Sequence, residues 1–253
     1  FSGGVNNTDA PNRIANNQLA TCDDCWYDAN AIKARGGMTF SAVSVATGAL
    51  TGWGRPNVLT IASSDYIVAA TRSTASGVTG INLPAYSTNA TTWTLMAHTT
   101  GTASTTNGSA TVTGSGTSWT THLRANDLFI INSQTQFVQI SSVVSNTELT
   151  LASNYSSTNT GAAYSAYPLF ATSPGNGTSF EVFNNLIYMS DGVRTPGNWD
   201  ATIFSTSANF PKAYFSKTFK NYMFSANTTA NPTRIFWSSI TTAETWPASN
   251  FID

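Results

Sequence analysis

The last third of the chain is built twice from one pattern, and that repeat narrows the fold more than any other feature. The first copy runs Phe180-Glu-Val-Phe-Asn-Asn-Leu-Ile-Tyr-Met-Ser190 and continues through a polar loop to Asn198-Trp-Asp200. The second runs Ala213-Tyr-Phe-Ser-Lys-Thr-Phe-Lys-Asn-Tyr-Met-Phe-Ser-Ala-Asn227, then Pro232-Thr-Arg-Ile-Phe-Trp237 and Thr245-Trp-Pro-Ala-Ser-Asn-Phe-Ile252. Each has a short aromatic strand, a polar turn (Asn184-Asn185 or Lys220-Asn221), a second strand ending in small residues, and a Trp-bearing segment. Aromatic and β-branched runs separated by turn residues predict small antiparallel sheets, repeated as in the blades of a β-propeller.

Residues 41–97 carry the same theme. Asn57-Val-Leu-Thr-Ile-Ala62 and Tyr66-Ile-Val-Ala-Ala70 read as a hairpin turning at Ser63-Ser64-Asp65, with Trp93-Thr-Leu-Met96 as the Trp segment. Residues 98–168 differ in texture. Thr102 to Trp119 is almost wholly small and polar, with β-branched residues recurring through it. Asp127-Leu-Phe-Ile-Ile131, Gln136-Phe-Val-Gln-Ile-Ser141 and Glu148-Leu-Thr-Leu151 follow as short strands. Embedded aromatics (Trp119, Phe129, Phe137) argue for a folded module over a flexible Ser/Thr/Gly linker. The expected architecture is all-β: β-propeller-like blades at 41–97 and 169–253, an inserted small β-barrel or sandwich at 98–168, and an extended N-terminal arm with a hairpin at 1–40. Two or three blades do not close a propeller, which takes about 4–8. The sequence starts at Phe1 and stops at Asp253 directly after a strand-like Asn-Phe-Ile, so the expectation is a processed chain or part of a longer one.

Composition limits the function classes. Charged residues make up 9% of the chain against 12% aromatics, and no Asp, Glu, Lys or Arg occurs between Arg72 and Arg124. Low charge with many aromatics suits β surfaces that meet other protein surfaces. The formal net charge is −1 and no basic cluster exists, which argues against a dedicated nucleic-acid-binding face. No apolar run approaches the roughly 20 residues of a membrane helix.

Catalytic and metal patterns are thin. Cys22 and Cys25 form a lone Cys-x-x-Cys beside Trp26, without the two further ligands of a zinc site or a βαβ redox context. The residues Asp23, Asp24, Asp28 and Asn30 miss the spacing of a calcium loop. The nearest carboxylate groupings are Asp23/Asp24 and Asp191/Asp200, and Asp191-Gly192 reads as a turn. His98 and His122 have no Ser or Cys partner motif for a triad. No phosphate-binding Gly-rich loop or dinucleotide fingerprint is present. Neither an enzymatic activity nor a cofactor is expected. Trp53, Trp93, Trp119, Trp199, Trp237 and Trp246 read as blade core wedges; stacking on sugars is the competing reading.

Several stretches resemble bacteriophage virion proteins. Phe1-Ser-Gly-Gly-Val-Asn-Asn-Thr-Asp-Ala-Pro11, then Trp26-Tyr-Asp28 and Ala31-Ile-Lys-Ala-Arg-Gly-Gly-Met38, look like their N-terminal arm and hairpin. The pairs around Asn185-Leu-Ile-Tyr188 and Asn221-Tyr-Met-Phe224 resemble their blades. Gly108-Ser-Ala-Thr-Val-Thr-Gly-Ser-Gly-Thr-Ser-Trp119 with the strands after it resembles a small β module of tail and fibre proteins. The functional class that the chain resembles is the tail nozzle, or tail tubular protein, of short-tailed phages. That resemblance implies a homo-oligomeric, hexameric ring in the phage tail, below the adaptor at the head–tail connector and beside tail fibre proteins, through which DNA passes without specific binding during ejection. Assembly contacts are expected in the arm, at Val5, Pro11, Ile14, Leu19, Trp26 and Tyr27. The alternatives are a receptor- or glycan-binding fibre or lectin module and, third, a cell-wall-degrading tail enzyme.

Overall fold

The computed structural model describes residues 25–28, 31–34, 50–53, 56–73, 81–89, 92–170 and 178–253. The chain divides into two compact units, Phe1–Phe40 and Ser41–Asp253. In the first, β1 (Cys25–Asp28) and β2 (Ala31–Ala34) form an antiparallel hairpin with Trp26 opposite Lys33 and Tyr27 opposite Ile32.

The second unit is all-β apart from one helical turn among the described residues. It contains three antiparallel meanders and one larger sheet. The first meander comprises β3 (Leu50–Trp53), β4 (Asn57–Ile61), β5 (Ser64–Ser73), β6 (Ile81–Ser87) and β7 (Thr94–Leu95). β3 and β4 lie end to end along the long β5: Trp53 pairs with Thr71, and Asn57 with Val68. They act as one interrupted outer strand, so the sheet is four strands wide. The second blade is β15 (Ser179–Phe183), β16 (Leu186–Ser190), β17 (Gly197–Trp199) and β18 (Phe204–Thr206). The third is β19 (Ala213–Phe219), β20 (Tyr222–Thr228), β21 (Ile235–Trp237) and β22 (Phe251–Ile252). In both, the strands hydrogen-bond in chain order, the up-and-down pattern of a propeller blade.

Each blade opens with a two-residue hairpin turn. Asn184 and Asn185 both take positive φ (49° and 57°), the geometry that matches the twist of the flanking strands and that Asn tolerates. In the first blade the turn sits at Ala62-Ser63 (φ 47° and 63°), with Ile61 paired to Ser64. The expected turn at Ser63-Ser64-Asp65 is therefore displaced. Ser64 and Asp65 are already strand, because the two-residue turn lets β4 and β5 pair to their ends.

The chain leaves the first blade after β7 and builds a seven-stranded sheet before it reaches the second. Its strands are β8 (Thr102–Thr105), β9 (Thr111–Ser115), β10 (Leu128–Ile131), β11 (Val138–Ser145), β12 (Glu148–Leu151), β13 (Asn159–Ala162) and β14 (Tyr164–Tyr167), with the helical turn α1 (Trp119–His122) after β9. The spatial order is β13-β8-β9-β12-β11-β10-β14. The two end strands are consecutive in the chain and are separated only by Ala163. One bent segment thus hydrogen-bonds to β8 on one side and to β10 on the other. The sheet closes on itself and leaves no free edge. Trp119, Phe129, Ile131, Val138, Ile140, Leu149, Tyr155 and Tyr164 fill the interior. Tyr155 also ties the wall, since its hydroxyl accepts from Ile131 N at 3.0 Å.

Two further cores lie between the blades. Leu59, Ile61, Tyr66, Val68 and Tyr86 of the first blade pack on Phe180, Ile187, Met189 and Trp199 of the second. Phe183, Leu186 and Tyr188, on the second blade's other face, pack with Phe210, Met223, Ala243 and Trp246. The blades therefore stack face to face in chain order. Close approach fixes Gly197 in β17: a Cβ there would overlap the Phe204 ring and come within 2.7 Å of Ser205 O. Gly197→Ala is expected to cost about 1–3 kcal/mol through overpacking, read as a shifted urea midpoint at unchanged slope.

Candidate functional site

Among the described residues, the carboxylates of the nearest sequence grouping, Asp191 and Asp200, are each engaged in a turn of their own. Asp191 Oδ1 accepts from the backbone N–H groups of Val193 (2.9 Å) and Arg194 (2.8 Å). Asp200 Oδ1 accepts from Thr202 N, Thr202 Oγ1 and Ile203 N at 2.6–2.8 Å. Burial acts against the Asp200 carboxylate, and these turn bonds outweigh it to hold its pKa below the usual value. Both carboxylates cap loops, as short Asp side chains do in turns. Among the described residues no group of three or more His, Cys, Asp and Glu could hold a metal ion. No helix among them is long and apolar enough to cross a membrane. Of the arm residues expected in assembly, Val5, Pro11, Ile14 and Leu19 lie outside the described residues. Trp26 and Tyr27 are described only as backbone in β1. Asp23, Asp24 and Cys22 also lie outside, and Cys25 opens β1.

Side chains do converge where the barrel meets the second blade. Arg124 and Asp127 follow α1, and both are buried. Arg124 Nη2 lies 3.1 Å from Asp127 Oδ1, and Arg124 N donates to Oδ2 at 2.9 Å. Asp127 Oδ1 also accepts from Leu169 N at 2.8 Å. The guanidinium donates to the carbonyls of Leu169 (3.1 Å) and Thr195 and lies over the rings of Phe170 and Phe204 (4.8 and 5.0 Å). One cation thereby joins the barrel, the returning chain and the second blade. Arg194 Nη1 adds a bond to Leu169 O at 3.2 Å, and burial lowers its pKa.

A histidine pair lies at the same joint. The rings of His98 and His122 stack with centroids 4.6 Å apart. His122 Nδ1 lies 3.0 Å from Phe204 O, so the ring donates across the joint. His98 Nε2 donates to Thr117 O at 2.8 Å, which leaves the buried Nδ1 as an unpartnered lone pair. The two imidazoles are 24 positions apart in small polar sequence, and no periodicity could have paired them. Burial, with a smaller contribution from His122, lowers the His98 pKa from 6.5 to about 4, against the opposing Thr117 bond. The unfolded chain therefore binds this proton more tightly than the folded one. The stabilisation is complete above pH 6.5 and is lost as pH falls towards 4. Equilibrium unfolding at about pH 4.5 should show a loss on the order of 2 kcal/mol relative to pH 7.5, a figure reduced from the full shift for local relaxation. His98→Gln should flatten that dependence.

The remaining concentration is apolar and lies on the third blade. Antiparallel partners share a face and successive residues alternate. The face directed away from the second blade carries Phe215 and Phe219 of β19, Tyr222 and Phe224 of β20, Ile235 and Trp237 of β21, and Ile252 of β22, while Lys217, between the two phenylalanines, reaches back to Glu181 of the second blade at 3.0 Å. Phe215, Phe219, Ile235 and Ile252 are exposed, and Tyr222, Phe224 and Trp237 are half-buried. The other tryptophans behave as wedges. Trp93, Trp119 and Trp199 are buried, and Trp246 packs in the second interblade core, where its indole N–H donates to Ala243 O at 2.7 Å. The side chain of Trp53 is not described. Nothing in the sequence separates the open face of the third blade from the covered face of the second, since both alternate in the same way.

No protein-family model and no curated protein matches the chain. Among solved structures, the chain is similar to a chain described as phage phi92 endosialidase, at 16% identity and a TM-score of 0.29, over 79% of this chain and 37% of that one. The chain thus spans well under half of that structure's length, and the likeness is too low to carry an argument about fold or function.

Proposed function

We propose that the chain is a structural protein of a bacteriophage tail that works by assembling with copies of itself. The finer reading is a ring, or nozzle, below the adaptor that extends the tail and conducts DNA. The observation that carries the self-assembly reading is the exposed aromatic face of the third blade on a chain with 9% charged residues. Contiguous apolar patches of this kind mark protein–protein sites. Two features support the reading further. The closed barrel, clamped to the second blade by Arg124, gives a rigid unit rather than a tethered one. The blade and barrel segments are those whose sequence resembles tail proteins. The near-neutral net charge suits a wall past which DNA slides without sticking. The role is non-enzymatic in this reading.

A second reading, glycan or receptor binding, draws on one observation: Trp237 with Tyr222 and Phe224 forms a half-exposed aromatic group on which sugar rings could stack. Immunogold electron microscopy of particles encoding the chain tests the location. Label at the tail below the portal vertex is expected. Label confined to fibre tips, with polysaccharide binding lost in Trp237→Ala, would replace the nozzle reading with the second.

A further inference from the structure

We infer that the stacked pair His98 and His122 is an acid-released latch between the barrel and the second blade: a proton taken up by His98 breaks the stack and, with it, the hold of His122 on β18, while the barrel itself stays folded.

The geometry places the pair in series across the joint. The last two residues of α1 reach β18. Thr121 O accepts from Thr206 Oγ1 at 2.9 Å, and His122 Nδ1 lies 3.0 Å from Phe204 O and 3.1 Å from Ser205 Oγ. On its barrel side the His122 ring meets His98, with centroids 4.6 Å apart and planes 18° from parallel. His122 thus touches the blade through a ring nitrogen and His98 through its face. His98 cannot retreat, because its backbone N–H and C=O both pair with Ala166 (2.7 and 2.9 Å) and its Nε2 is held by Thr117 O.

A second proton on His98 would sit on Nδ1, which is buried with no acceptor, and would set a cation against the His122 ring. The groups packed around the pair offer it no compensation. On the barrel side these are the Thr117 carbonyl and Tyr164, 6.1 Å away, whose hydroxyl is committed to Thr100 O. On the blade side they are Phe204 and Ser205, both uncharged, and beyond them Glu244, which is bonded to Ser207. Beside α1 stand Arg124, paired with Asp127, and Arg194, which donates to Leu169 O. The influences on the His98 pKa are burial, the Thr117 bond and His122, with no carboxylate among them, and they lower it to about 4.

An imidazole freed into water takes its proton near pH 6.5, so acid favours whichever arrangement frees His98. The latch holds fully above pH 6.5 and weakens as the pH falls towards 4. Between pH 7.5 and 4.5 the full difference raises the ratio of released to docked joints about 70-fold, and at least ~10-fold after local relaxation. The barrel can leave β18 as a unit, because its sheet closes on itself around its own core. The bonds from Arg124 to Leu169 O and Thr195 O contain no imidazole and tether it meanwhile. Release is therefore local and distinct from unfolding of the chain.

Electron–electron double resonance on the full chain tests this. Spin labels are placed at Val144→Cys in β11 and Ala208→Cys just beyond β18, both exposed, with Cys22→Ser and Cys25→Ser removing the native thiols. A single distance is expected at pH 7.5. At pH 4.5 a second, longer distance should grow at least ~10-fold, with far-ultraviolet circular dichroism unchanged, and should vanish on neutralisation. His98→Gln keeps a donor for Thr117 O and takes no proton, so it should show the single distance at both pH values. One unchanged distance in the parent, a second distance that persists in His98→Gln, or a second distance that appears only with loss of the dichroism signal would overturn the latch. The wild-type chain supplies an independent measurement should His98→Gln not fold. It has only two histidines, so its imidazole nitrogen NMR signals belong to this pair. His98 should gain its proton over the pH interval in which the second distance grows; a His98 that stays neutral through that interval would overturn the proposal.

Discussion

Asp127→Ala is expected to lower the unfolding free energy by about 3–5 kcal/mol, one of the two largest effects of any single change outside the backbone. The carboxylate accepts from Arg124 N, Nε and Nη2 and from Leu169 N, in a site where both ionic partners are buried. Its removal leaves a guanidinium without its counter-charge and orphans two backbone donors. Each unsatisfied buried donor costs about 1–3 kcal/mol. The double variant Arg124→Met with Asp127→Ala should recover part of the loss, since a buried pair is worth less against apolar replacement than against loss of one partner. It should also loosen the barrel from the second blade, because Arg124 reaches Leu169 O, Thr195 O and the Phe170 and Phe204 rings. Urea unfolding followed by tryptophan fluorescence reads the first effect. Limited proteolysis reads the second, with faster cleavage expected between the barrel and β15.

Trp119→Ala should cost about 3–5 kcal/mol, as deletion of a large side chain from a closed core does. Trp119 is fully buried among Val112, Phe129 and Tyr164, and its indole N–H donates to Tyr164 Oη at 2.8 Å. Tyr164 donates in turn to Thr100 O at 2.7 Å. Burial raises the Tyr164 pKa to about 12, so the hydroxyl stays protonated throughout the neutral range. Gly114 shows how tightly the indole is seated: a Cβ there would come within 2.6 Å of the Trp119 ring. Trp119→Phe, which keeps most of the volume and loses the N–H, should cost less than half as much. Equal losses for the two variants would mean that the hydrogen bond, rather than the volume, secures the barrel.

Much of the blade architecture was legible because it is written in local patterns. The turns at Asn184-Asn185 and Lys220-Asn221, the strands on either side of them, and the Trp-bearing third strands β17 and β21 stand where the aromatic alternation puts them. In the barrel, Glu148–Leu151 is β12, and Asp127–Ile131 contains β10. The closing segment of β13 and β14 was not legible. Asn159-Thr-Gly-Ala162 is small and polar, and its strand conformation comes from pairing with β8 far away in the chain, not from propensity. The helical turn at Trp119–His122 was hidden for the same reason, inside a Ser/Thr-rich run with no helical period. The histidine stack and the Arg124 clamp are tertiary: they join residues far apart in the chain, His98 with His122 and Arg124 with Leu169 and Thr195. The arm contacts at Val5, Pro11, Ile14 and Leu19 lie outside the described residues. The surface that the structure offers instead, at Phe215 and Phe219, alternates like a covered blade face and is exposed.

The central claim is self-assembly into a ring, and negative-stain class averages of the purified chain test it most directly. The account predicts rings with an open centre, whose symmetry gives the copy number. A field of isolated particles the size of one chain, or slender trimers, would contradict it.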